Sequence, residues 1–160
     1  MISLATDPLV FLALSIAGGL GAASRFALDQ AITTAFARRA KAAPTSRPTH
    51  ALTPGTTGQQ KKSPTLPWGT IIVNLSGSLV LGLITGFVTA GIWPPEVQLV
   101  VGVGFLGGYT TFSAASFQTV QLLREGWTGA GLLAGAGQLV GGILLAGVGL
   151  AVGFVARLFL

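Results

Sequence analysis

Apolar residues run along this chain in four long stretches divided by short polar interruptions, and within a stretch they do not alternate. No charge occurs over 8–24, 63–95, 97–123 or 126–156, runs of 17, 33, 27 and 31 residues. A helix rising 1.5 Å per residue needs about 20 mainly apolar residues to cross the hydrocarbon core of a bilayer. The last three runs meet that length outright. The first meets it if Arg25 stands inside or at the edge of the span and Phe26–Ala35 continues the helix. The pattern predicts an all-α membrane protein with four transmembrane helices, roughly 9–30, 69–90, 98–123 and 129–156. Continuous rather than alternating apolar runs exclude a membrane β-barrel. The N-terminus carries Asp7 in place of a basic leader region and is read as retained.

Segment 37–67 breaks the pattern. It holds Arg38, Arg39, Lys41, Arg47, Lys61 and Lys62 among proline, threonine, serine, glycine and glutamine, with few apolar residues. Such a stretch cannot bury enough surface to offset the entropy of ordering, and it predicts a disordered basic loop inserted in a single four-helix domain. His50 inside it reads as a solvated side chain. The other connections are short: Trp93-Pro94-Pro95-Glu96 on one face and Arg124-Glu125-Gly126-Trp127 on the other, each with a tryptophan suited to the interface.

Composition narrows the chemistry. The chain is 51% hydrophobic and only 8% charged, with a mean hydropathy of +0.75, too few charges to clothe a water-facing surface. It has no cysteine, one histidine and four carboxylates, Asp7, Asp29, Glu96 and Glu125. That leaves little for acid–base, thiolate or zinc chemistry, and the chain is not read as an enzyme. A net charge of +5 sets orientation in a membrane protein more readily than it marks a nucleic-acid surface. Of the four carboxylates only Asp29 falls within a predicted span, at the very end of the first, so none stands at mid-membrane as the titrating group of a proton-coupled carrier.

The informative residues are the polar ones at membrane depth, each of which must find a partner. Asn74 lies in the first half of the second span and suits either a helix–helix hydrogen bond or donation to an anion. The middle of the third span reads Gly107-Gly-Tyr-Thr110-Thr-Phe-Ser113. Glycine and threonine are poor helix formers, so a break is predicted there, freeing backbone groups for an ion. Phe112 adds a ring edge of positive potential.

These stretches, together with Gly18-Gly-Leu-Gly-Ala-Ala-Ser-Arg25-Phe and Gly69-Thr-Ile-Ile-Val-Asn74-Leu-Ser-Gly-Ser78, resemble the Fluc (CrcB) family of fluoride channels. The resemblance covers nearly the whole chain apart from 37–67. It implies two subunits packed antiparallel, two narrow pores at their interface, passive fluoride movement, and a third helix broken at mid-membrane. It implies a structural sodium ion at the dimer centre, held by the backbone carbonyls of Gly107 and Thr110. The family's pore asparagine matches Asn74, its first pore phenylalanine Phe112, and its hydroxyl track Ser113 and Ser116. Arg25 matches the basic residue closing the first helix and, with Thr111, is assigned to the vestibule or interface.

The chain departs from the family pattern at Ala114, Ala115 and Gln118, which stand where threonine, a second phenylalanine and glutamate are usual. In the fourth helix Gln138 is the single polar side chain between Gly129 and Ala156. Charge is lopsided: the face of the long loop carries Arg25, Arg38, Arg39, Lys41, Arg47, Lys61, Lys62 and Arg124, the other face only Arg157. That bias predicts one orientation in the cell (plasma) membrane, long loop cytoplasmic and termini outside. The native partner is then expected to be a second homologous subunit of opposite bias, with homodimers on overexpression. A non-conducting assembly partner and a small dual-topology exporter are the competing readings.

Overall fold

The structure is a computed structural model that describes residues 8–42 and 65–159. Every regular element in them is helical. The first helix is Pro8–Ala42 and the second Trp68–Thr89. The third span opens at Pro95–Val97, widens over Gln98–Phe105 into π geometry with i→i+5 hydrogen bonds, and returns to α geometry at Leu106–Tyr109. Thr110 and Thr111 are extended, and the span resumes as Phe112–Arg124. The fourth runs through Thr128–Leu132, a second wide-turn piece at Leu133–Gly137, and Gln138–Ala156. Four spans are long and apolar enough to cross a membrane: Pro8–Arg39, Trp68–Thr89, Pro95–Arg124 and Thr128–Ala156.

The first helix continues well past the predicted end near residue 30. Residues 35–42 read Ala-Phe-Ala-Arg-Arg-Ala-Lys-Ala, all helix-compatible and rich in the best helix formers, and no proline intervenes before Pro44. Residues 37–42 of the segment read as a loop are therefore helical; positions 43–64 lie outside the described residues.

Both short connections use the same stop. Gly91 and Gly126 take φ of 75° and 83°, the left-handed region that glycine enters without steric cost. After the second helix, Gly91 N–H donates to the Val88 carbonyl at 3.0 Å and Ile92 N–H to that of Phe87 at 3.0 Å. After the third span, Gly126 N–H donates to Leu123 at 3.0 Å and Trp127 N–H to Leu122 at 2.9 Å. These paired bonds satisfy helix-end carbonyls that have no partner of their own. Pro94 and Pro95 then start the third span, where a missing N–H costs nothing.

Packing pairs the first helix with the opening half of the third span, and the second helix with the fourth. Glycines set the approach. A Cβ at Gly21 would fall on the Phe105 carbonyl, and one at Gly108 on that of Gly18. Across the other pair, Gly82 faces the Ala146 backbone, Gly149 that of Leu79 and Leu83, and Gly153 that of Gly86 and Phe87. Lipid supplies no hydrophobic drive for helix pairing, so backbone-to-backbone dispersion through small residues replaces it. The buried apolar set is correspondingly small: Ala17, Val73, Ile84, Ala90, Leu106, Leu122 and Ala134. Large apolar side chains such as Phe11, Leu139, Ile143 and Val148 are exposed outward. That surface suits lipid or another subunit, not water.

Gly149→Val is expected to force the second and fourth helices apart and to destabilise the protein by more than the about 1–3 kcal/mol of ordinary overpacking. Gly147→Ala, with nothing within 4 Å of the added carbon, should leave stability unchanged. Thermal unfolding in detergent distinguishes the two.

Candidate functional site

The extended pair at Thr110 and Thr111 organises the site. Thr110 N–H still reaches the Leu106 carbonyl at 2.9 Å, and its hydroxyl donates to the same oxygen at 2.9 Å. Helical bonding stops there. Thr111, at φ −147° and ψ 119°, presents its own N–H and C=O on one side, as a strand residue does. Asn74 supplies both complements: its Oδ1 accepts from Thr111 N–H at 2.8 Å and its Nδ2 donates to the Thr111 carbonyl at 2.9 Å. One side-chain amide thus stands in for a neighbouring strand. The Thr111 hydroxyl accepts from Ala114 N–H at 3.3 Å and so caps the resumed helix.

A second strut fixes the residue before the break. Ser76 donates its one hydroxyl hydrogen to the Val73 carbonyl at 3.0 Å, so the 3.1 Å contact with Tyr109 is the phenol donating to Ser76. The Tyr109 ring stacks on Phe105 with centroids 5.9 Å apart. Asn74, Ser76 and Gly77, which the Tyr109 and Thr110 side chains abut, all belong to the second helix. The break is therefore seated against that helix on both of its sides.

Beside the break lies an open groove of about 890 Å³, walled by the second helix, both halves of the third span and the middle of the fourth. Asn74, Gly107, Thr110, Thr111, Phe112 and Ser116 all line it. Phe112 is 83% exposed, its ring free of the protein's own packing. One residue expected in the pore is elsewhere, and Arg25, expected at the vestibule or interface, also stands outside the groove. Ser113 is exposed, its hydroxyl 3.3 Å from that of Thr111, and does not line the groove. Arg25 stands on the first helix, outside the groove lining, with its Nε buried and without a hydrogen-bond partner.

Three polar residues join the groove that were not assigned to the site: Ser78, Thr119 and Gln138. Spacing could have found them. Ser78 is four residues after Asn74 and Thr119 three after Ser116, each one turn along the same helical face. Gln138 is the polar exception in the fourth span. The Thr119 hydroxyl is already spent on the Ala115 carbonyl at 2.8 Å. Donors left to the groove are Ser78, Ser116, the Gln138 amide and the second Nδ2 hydrogen of Asn74. No lining residue carries a charge. Among the described residues no group of three His, Cys, Asp or Glu is placed to hold a metal.

The carbonyls at the break differ in kind from these donors. A helix leaves its last four carbonyls without intrahelical N–H partners. The N–H that would serve Gly107 is that of Thr111, which Asn74 takes. Gly107 has open space where a side chain would stand. Neutral backbone oxygens of this kind are donors to a hard cation.

Comparison with known proteins places this architecture. The sequence profile of the family described as CrcB-like protein, Camphor Resistance (CrcB), matches residues 12–150. The chain belongs to the CrcB family. A relative from Leifsonia xyli, named fluoride-specific ion channel FluC 1, is 38% identical over 149 residues, 93% of this chain and 90% of its own. A Symbiobacterium thermophilum protein of the same name is 46% identical over 89 residues, 55% of this chain and 72% of its own. A Bacillus licheniformis relative, fluoride-specific ion channel FluC 2, is 48% identical over 87 residues, covering 54% and 65%. Family membership and four spans make the chain a multi-pass membrane protein.

Asn74→Leu, similar in size but unable to bond, should strand both polar groups of Thr111 and cost about 2–6 kcal/mol, at about 1–3 kcal/mol each. Tyr109→Phe removes a single neutral bond and should cost about 0.5–1.5 kcal/mol. Equilibrium unfolding in mixed micelles checks the order.

Proposed function

We propose that the chain is one subunit of a passive, fluoride-selective channel. The observation that carries the reading is the uncharged groove beside the break, where the remaining amide hydrogen of Asn74, the Ser116 hydroxyl and the Phe112 ring meet. A small, strongly hydrated anion can exchange water for such donors. With no fixed cation to trap it, it can leave again. The names of the relatives point the same way. Inside-negative voltage would then drive fluoride out after hydrogen fluoride enters uncharged and ionises in the cytoplasm.

A groove open on one flank conducts only when something closes it, and in this reading a homologous subunit does so, packed antiparallel. The unpartnered carbonyls of Gly107 and Thr110 fit a sodium ion there. One copy brings too few oxygens for a hard cation, and two copies double them. A bound sodium ion supplies a positive charge that ties the two breaks together. The break falls at mid-membrane in such an assembly, with Arg25 and Thr111 toward the vestibule or interface. The eight-to-one bias of Lys and Arg favours a single orientation, long-loop face cytoplasmic and termini outside, and hence a heterodimer in the native cell. A second reading, a non-conducting assembly partner, is favoured by one feature: Ala115 lines the groove where the resembling family carries its second phenylalanine.

Fluoride efflux from liposomes tests the proposal, run with this chain alone and with a homologous chain encoded beside it. Fluoride-selective flux in either preparation is the expected result; silence in both, with folded protein, overturns it, and flux that needs only the partner's groove residues selects the second reading. In a conducting preparation Asn74→Asp should lower flux at least about tenfold, because a carboxylate cannot donate and repels the anion. Phe112→Ile should lower it by a smaller factor. For orientation, single cysteines at Thr56 and Gly91 are probed with an impermeant thiol reagent on intact cells. Labelling at Gly91 alone is expected; comparable labelling at both positions would mean dual insertion.

A further inference from the structure

The first helix is too long for the membrane it crosses. Its 35 residues extend about 52 Å, against a hydrocarbon core of about 30 Å and about 40–45 Å with headgroups. The second helix, at 22 residues, extends about 33 Å and matches the core. The antiparallel second helix therefore shows where the first one leaves the apolar layer. Two contacts give the level. Gly69 abuts the Asp29 side chain, and the Trp68 ring stacks on Phe36 with centroids 5.6 Å apart and planes within 13°. A tryptophan ring at the end of a span settles at the membrane–water interface, and Trp68 so marks the level of Phe36.

Arg38 and Arg39 follow Phe36 by two and three residues, about 3–4.5 Å farther along the axis. That step places both guanidinium groups in the headgroup layer, and both residues are exposed. Nothing in the neighbouring sequence neutralises them. The nearest carboxylate along the chain is Asp29, nine and ten residues back, and none follows until Glu96 at the other end of the second helix. Positions 34–36, one turn before the arginines, are Thr, Ala and Phe. A guanidinium offers a planar fork of donors matched to phosphate oxygens.

We propose that the end of the first helix, Arg38 and Arg39 above the Phe36–Trp68 ring pair, is a binding site for the headgroup of an anionic phospholipid of the same membrane. Arg39 stands about 60° around the helix from Phe36 and Arg38 about 160° from it, so the rings pack against the upper acyl chain and glycerol, the Arg39 guanidinium holds the phosphate, and Arg38 adds positive charge at the same level. The site does not involve the groove, so it stands or falls apart from the channel reading.

The test uses the full chain with Trp93→Phe and Trp127→Phe, leaving Trp68 beside the site as the only indole. The protein is reconstituted in even mixtures of phosphatidylglycerol and phosphatidylcholine, with brominated chains on one lipid at a time, and quenching of Trp68 gives the ratio of the two at that position. Phosphatidylglycerol is expected to be preferred, and Arg38→Gln with Arg39→Gln to lower the preference by up to about thirtyfold, near fivefold per arginine. The preference should also collapse in about 1 M NaCl, where screening falls to about 3 Å. Arg157→Gln, on the opposite face, should leave it unchanged. The proposal is overturned by an equal ratio in the parent protein, or by a preference that survives loss of both arginines. It is equally overturned if Arg157→Gln matches their effect or if inorganic phosphate displaces the lipid. If the double variant does not insert, the single variants supply the same readout.

Discussion

A peptide group that leaves helical bonding inside an apolar span loses the only partner the helix gives it, and lipid offers none. The third span does this at Thr111, and the two bonds from Asn74 make it tolerable. Much else depends on that repair. It requires an amide at one position of the second helix, facing the third. It turns Phe112 and Ser116 toward the same groove as Asn74. It withdraws the N–H that would otherwise occupy the Gly107 carbonyl. Asn74 is thus first a structural residue, and any role toward an anion falls to the one amide hydrogen that remains. Aspartate at this position would lose the donor and set an acceptor against the Thr111 carbonyl, so structural and electrostatic effects of that change act in one direction.

The glycines follow from the same solvent. In water the core would be filled by large side chains; here, among the described residues, only Val73 is both large and wholly enclosed. Helices instead meet backbone to backbone at Gly18, Gly21 and Gly108 on one side and at Gly82, Gly86, Gly149 and Gly153 on the other. The two tight pairs hold the second helix and the opening half of the third span as fixed walls. Among the described residues Phe112–Arg124 packs mainly against the start of the fourth span, with slight contact to the second helix. Phe112 and Phe117, 83% and 70% exposed and about 140° apart around this helix, leave it open to a neighbour on two sides.

Hydropathy alone located the four spans, because length and absence of charge are properties of sequence. Extended Thr110 and Thr111 coincide with the poor helix formers that pointed to them. The end of the first helix does not show in the pattern, because low apolar content over 37–67 reads as loop although Ala, Arg and Lys at 37–42 are good helix formers. The wide turns at Gln98–Phe105 and Leu133–Gly137 leave no mark in the hydropathy pattern. Ser113 and Ser116 both match the hydroxyl track of the resembling family by position. They are three residues apart, about 60° around the helix, and that rotation is enough for one to line the groove and the other to miss it. The amide of Asn74 was open to two uses, and its partner Thr111 lies 37 residues away, beyond the reach of any local pattern.

Counting hydroxyl groups overstates how many hydrogens an anion would find. In helices, serine and threonine readily turn their hydrogen back to a carbonyl one turn earlier. Thr110, Thr119, Ser76 and Ser15 do so here. Each keeps lone pairs, which repel an anion, and loses the donor that would attract one. Subtracting them changes the picture of the groove. Its donors are Asn74 and Ser78 on the second helix, Ser116 on the third span and Gln138 on the fourth, while the hydroxyls of Thr110 and Thr119 face the same space as acceptors. In the channel reading an anion in the groove would meet few and weak contacts spread over three spans, the condition under which it can be stripped of water and still be released.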